Sequence, residues 1–221
     1  MTTNKFMTLF FALMATVLIS STVQAKTPDP ILFVHGYLSS ASVWNPMKAR
    51  FQNDQWPSTH LASFSYDFNQ ANATTADQVA MEVDKLIKAT GATKVDIIAH
   101  SMGSLSSRYY LKNLLIDDSR VDSWVSLGGP NHGTDFAYGC FSYSCFEMRM
   151  RSSFLTALNA GDESPGKIRY ATFRSPCDNV INPDSSVIVK GASNFETHCV
   201  SHNGLLDDNT VYNDVRDFVN R

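Results

Sequence analysis

The chain has 221 residues, 43% of them hydrophobic and 18% charged, with 18 Lys and Arg against 21 Asp and Glu for a formal net charge of −3 at pH 7. That balance offers no basic face for nucleic acid, and no repeat, low-complexity tract or Pro/Gly/Ser linker divides the chain. The length suits one domain of ordinary size with a substantial core.

The first segment stands apart from that domain. Lys5 precedes an apolar run over residues 6–19, and Val23-Gln24-Ala25 supplies a small-residue cleavage site. A membrane span needs about 20 apolar residues, and this run is followed by Ser20-Ser21-Thr22 rather than a basic cluster. Residues 1–25 therefore read as a signal peptide without a stable membrane anchor, and 26–221 as one domain secreted from the cell.

Strand and helix signals alternate through that domain. Residues 31–34 form an apolar run ending at His35-Gly36, and 61–66 a second strand. Ala76, Val79, Ala80, Val83, Leu86 and Ile87 recur at spacings of three and four, which predicts an amphipathic helix. Thr75 with Gln78 predicts a capping box at its start, and Gly91 its stop. A strand over 94–98 runs into Ala99-His100-Ser101-Met102-Gly103, followed by a helix over 105–115 and a strand over 121–127 that ends at Gly128-Gly129-Pro130. Segment 131–167 is irregular apart from a helical stretch at 152–159. Strands over 168–173 and 194–200 and a helix over 212–219 complete the chain. Alternation of this kind predicts an α/β fold: a mostly parallel sheet with helices on both faces and functional residues beyond the carboxyl ends of its strands.

All four cysteines, Cys140, Cys145, Cys177 and Cys199, fall in the exported part, where an oxidising environment favours disulfides. Three pairings are open. We favour Cys140 with Cys145, a short loop staple, and Cys177 with Cys199. No close cysteine pair or histidine cluster suggests a zinc site.

A serine on a sharp strand-to-helix turn needs small neighbours two residues before and after it, which Ala99 and Gly103 provide around Ser101. Its hydroxyl becomes nucleophilic only with a base to take its proton and a carboxylate to orient that base. His202, in the loop after the last strand, is the expected base, with His198 as rival. Asp178, just beyond the strand at 168–173, is the expected acid, with Asp184 as rival; Asp207 and Asp208 read as surface charges. Backbone N–H groups must then face the developing oxyanion. Met102, after the nucleophile, and Tyr37, after the first strand, are the expected donors.

Val34-His35-Gly36-Tyr37, Val95 to Gly103, Ser126-Leu127-Gly128-Gly129-Pro130 and His202-Asn203-Gly204-Leu205-Leu206 together resemble the small secreted bacterial lipases of the α/β-hydrolase fold. The resemblance implies a compact hydrolase with little or no lid, acting on carboxylic esters including triacylglycerols. It places the nucleophile at Ser101, the acid at Asp178, the base at His202 and the oxyanion donors at Tyr37 and Met102. The resulting expectation is a cofactor-independent, monomeric triacylglycerol lipase working on lipid or ester substrate at an oil–water interface. Apolar residues including Tyr37, Leu38, Phe136, Phe141, Leu205 and Leu206 would line its acyl groove. An esterase for short soluble esters, or a secreted binding protein on a hydrolase scaffold, are the competing readings.

Overall fold

The computed structural model describes residues 1–2 and 27–221. The signal-peptide expectation, placed on residues 1–25, lies almost wholly outside them.

Six strands, β1 (Ile31–Val34), β2 (Leu61–Ser63), β3 (Val95–His100), β4 (Val121–Leu127), β5 (Arg169–Arg174) and β6 (Ser193–Glu196), form one sheet in the order β2-β1-β3-β4-β5-β6. Every pairing is parallel. Such a sheet must be covered on both faces, and its central strands are buried accordingly: β1 is wholly apolar, β3 is buried throughout although it includes Asp96 and His100, and in β4 every residue but Asp122 is buried. In β1, Ile31 and Phe33 point to one face and Leu32 and Val34 to the other, and all four are fully buried. Truncating such a side chain as Phe33 to alanine should cost about 3–5 kcal/mol.

One face carries α2 (Asn72–Thr90), α3 (Gly103–Tyr109), α4 (Tyr143–Met148) and α5 (Ser153–Leu158). The other carries α1 (Asn45–Asn53), α6 (Gly204–Asp207) and α7 (Asn209–Val219). After Tyr109 the helix begun by α3 continues as a π-helical turn over Tyr110–Leu114. Among the described residues no helix is long and apolar enough to cross a membrane.

Two local expectations need correction. Helix α2 begins at Asn72, ahead of the capping box read at Thr75 and Gln78. Its leading amide is met by a distant carboxylate instead: Glu147 of α4 accepts from Asn72 N at 2.7 Å and from Asn72 Nδ2 at 2.8 Å, while Gln70 engages both Thr75 and Gln78. Strand β6 ends at Glu196 rather than Val200. Beyond it, Cys199 is bonded to Cys177, and Val200 N donates to Ser175 Oγ at 3.0 Å, so the chain turns toward the β5 loop.

Candidate active site

The site is built where β3 meets α3. Ser101 sits between them with φ at 54°, the left-handed region that a side-chain-bearing residue adopts only when its surroundings enforce it. Here they do. Ser101 N donates to Leu127 O of β4 at 2.9 Å and Ser101 O accepts from Ser104 N at 3.0 Å. On the far side of the turn, a Cβ added at Gly103 would lie 2.3 Å from His35 O and 2.5 Å from Val34 O. Only glycine allows α3 to start this close to β1.

The carboxyl ends of β5 and β6 supply the partners. His202 Nδ1 lies 2.8 Å from Asp178 Oδ2, with both side chains almost entirely buried. Because an ionised carboxylate only accepts, we assign the ring proton to Nδ1, which leaves Nε2 as the free acceptor. Asp178 Oδ1 accepts from the amides of Val180 at 2.8 Å and Ile181 at 2.9 Å. Burial pushes the Asp178 carboxyl up, but the hydrogen bond and charge of His202, with those two amides, outweigh it and hold the group below its ordinary value.

Ser101 and His202 face one cavity of about 540 Å³ that Tyr37, Leu38, Phe136, Val180, Ile181 and Leu206 also line. Among the described residues the serine hydroxyl makes no hydrogen bond to the imidazole; such contacts commonly tighten only around substrate. The amides of Tyr37 and Met102 have no backbone acceptor among the described residues. The loop carrying Tyr37 is fixed by His35, whose Nδ1 donates to Gly36 O at 2.8 Å and whose ring stacks on Tyr66 at 4.0 Å.

A family model described as Lipase (class 2) matches residues 28–217. The chain belongs to this family. It is 27% identical over 126 residues to a triacylglycerol lipase from Burkholderia plantarii, a stretch covering 54% of this chain and 34% of that one. A triacylglycerol lipase from Pseudarthrobacter phenanthrenivorans is 28% identical over 120 residues, covering 51% and 36%. The chain spans about a third of the length of these curated relatives. Among solved structures, the mature form of the Bacillus licheniformis lipase BlEst2 superposes with a TM-score of 0.77 at 15% identity, over 89% of this chain and 94% of that one. Aspergillus fumigatus lipase B gives 0.70 at 15% identity, over 89% and 54%. At such identities the likeness is one of fold, and the expected α/β-hydrolase architecture is the one observed.

The rival residues lie elsewhere. His198 is exposed and 3.1 Å from Asp208, and Asp184 pairs with Arg174. Of the expected groove residues, Leu205 is buried in the core and Phe141 is 79% exposed, away from the cavity lining. A more open cleft of about 600 Å³ around His132 and Lys190 does not include Ser101, Asp178 or His202. Gly128, which the sequence marks only as a strand end and part of the family motif, has φ at 57°, and a Cβ there would lie 3.1 Å from both Asp178 Oδ2 and His202 Nδ1. Its position at the end of an apolar strand was the available signal. Among the described residues no three His, Cys, Asp or Glu side chains gather as a metal-binding group.

Proposed function

We propose that the protein is a secreted serine hydrolase that cleaves carboxylic ester bonds of lipids, a triacylglycerol lipase, through an acyl-enzyme. The observation that carries this reading is the convergence of a serine in strained backbone and a buried histidine–carboxylate pair on one largely apolar cavity.

His202 Nε2 takes the Ser101 proton as Oγ bonds to the ester carbonyl carbon, and the carbonyl electron pair moves onto its oxygen. The amides of Tyr37 and Met102 face that oxyanion. Asp178 holds the Nδ1 proton and stabilises the imidazolium. As the C–O bond to the alcohol breaks, His202 returns its proton to the leaving oxygen. Water then attacks the acyl carbon with the same histidine as base, releasing the fatty acid and restoring the serine. The apolar walls at Leu38, Phe136, Val180 and Leu206 suit an acyl chain.

Exposed side chains beside the pocket mouth support action at a lipid–water surface. Leu38 and Phe136 line the cavity yet are 69% and 43% exposed. Tyr138, Phe141, Tyr143 and Phe146 follow Phe136 along the chain and are also exposed, and the Cys140–Cys145 bond closes the loop that carries Phe141 and Tyr143. Export through the N-terminal segment fits the two disulfides, since such bonds persist in oxidising compartments.

Fluorophosphonate labelling, lost in Ser101→Ala, combined with hydrolysis of esters of graded chain length above and below their solubility limits, tests the proposal. Labelling with activity on insoluble long-chain esters is expected. A sharp preference for short soluble esters would move the assignment to an esterase, and an unlabelled wild-type protein would point to a binding role.

A further inference from the structure

We propose that His100 is a positioning residue for the base: its ring clamps the main chain of His202 to the elbow that carries Ser101. The inference rests on the serine-hydrolase reading above.

His100 ends β3, immediately before Ser101, and is 4% exposed. Its Nε2 lies 3.1 Å from the carbonyl oxygen of His202, a bond between residues 102 apart in sequence. A carbonyl can only accept, so Nε2 carries the proton. The two imidazoles lie 4.5 Å apart at 42°, and Trp44 meets the His100 ring edge-on at 6.5 Å. Burial, followed by the nearby His202, lowers the His100 pKa to about 3, which keeps the ring neutral.

The other polar contacts of His202 show why this bond matters. Nδ1 is held by Asp178, and the backbone N–H reaches Asn179 Oδ1 at 3.5 Å. Both partners lie in the loop after β5, so they fix the base relative to the acid and not to the nucleophile. The carbonyl bond to His100 is the hydrogen bond that refers the base to the serine's own turn. An aliphatic side chain could fill this space without the desolvation that a buried imidazole suffers. The ring's donor is what an aliphatic residue would lack.

The test compares His100→Gln, whose amide can still donate, with His100→Phe, which keeps a ring without a donor. Both are assayed on a soluble short-chain ester and by rate of fluorophosphonate labelling, below the melting temperature of each, with Ser101→Ala as blank. His100→Phe should lower kcat and the labelling rate together by about 30- to 100-fold with KM within about threefold, and His100→Gln should recover most of that loss. Long-range proton–nitrogen NMR of the wild type should show His100 neutral and protonated on Nε2 from about pH 5 to 8.

A folded His100→Phe protein with kcat within twofold of wild type would overturn the clamp. So would equal losses in both variants, or a His100 ring protonated on Nδ1. If His100→Phe does not fold, the Gln variant and the tautomer decide. A wild-type protein that neither labels nor hydrolyses esters would instead remove the hydrolase reading, and the NMR arm alone would then report whether the bond to the His202 carbonyl exists.

Discussion

Removing the Cys177–Cys199 bond by Cys177→Ser with Cys199→Ser should weaken both the fold and the chemistry, and the two effects are separable. The bond closes a sequence separation of 22 residues, which by loop-closure entropy contributes about 3 kcal/mol. For a domain of this size that is a fall in Tm of roughly 6–12 °C. Cys140–Cys145, with a separation of 5, contributes about 2 kcal/mol on the same scale.

The catalytic consequence differs because Cys177 adjoins Asp178 and Cys199 lies in the loop that leads to His202. The two loops would not separate wholly, since Ser175 Oγ still donates to Val200 O at 2.6 Å and accepts from Cys177 N at 3.1 Å. Slack of a fraction of an ångström in the acid–base pair should therefore lower kcat by about tenfold. The assay is hydrolysis of a soluble short-chain ester well below the lower Tm, with circular dichroism to establish folding. Cys140→Ser with Cys145→Ser should lose stability and keep kcat. A folded Cys177/Cys199 double variant with wild-type kcat would refute the catalytic half, leaving the bond as a restraint on the unfolded chain alone.

Asp178→Asn should lower kcat by about 10⁴-fold through loss of the tautomer and charge that serve His202, and retention of more than about a tenth of wild-type kcat would remove Asp178 from the role. Because the folded carboxyl is held below its unfolded pKa of about 4, its contribution to stability is complete above that pH and is lost as pH falls through the folded value. The Tm difference between wild type and Asp178→Asn should accordingly shrink in acid. Phe141→Ser with Tyr143→Ser should weaken adsorption to triacylglycerol emulsions by about thirtyfold, from roughly 2 kcal/mol of lost aromatic insertion, while kcat/KM on a soluble ester changes less than about twofold. Unchanged emulsion binding would show that this segment does not meet the lipid surface.

The architecture was legible because both faces of the sheet are buried, so β1 is apolar throughout, β3 and β4 are mainly apolar despite Asp96, His100, Asp122, Ser123 and Ser126, and the intervening α2 shows a clear helical period. Ser101 was legible for a similar reason: a tight turn constrains its immediate neighbours, and those neighbours are adjacent in sequence. What the sequence did not disclose depends on partners far along the chain. The cap of α2 comes from Glu147, 75 residues away from Asn72. Helix α1 buries only Met47 and Phe51, too sparse a pattern to mark a helix locally. Strand β6 is exposed along its whole length and stops where the chain turns to meet Ser175 and Cys177. Gly128 reads as an ordinary turn glycine until Asp178 and His202 are packed against it.

Three imidazoles, those of His35, His100 and His202, are buried around the elbow, and their surroundings determine which can move a proton. Burial lowers the pKa of His35 and takes that of His100 to about 3. Each of these two rings donates to a backbone carbonyl, which accepts the bond but carries no net charge to stabilise an added proton. His202 alone among the three has a carboxylate on its Nδ1, so positive charge gained at Nε2 is met by a buried Asp178 anion. Residue type therefore did not distinguish the proposed base. What distinguishes it is that the loop after β5 delivers Asp178 to one of three otherwise similar rings, leaving the other two to hold the Tyr37 loop and the His202 main chain in place.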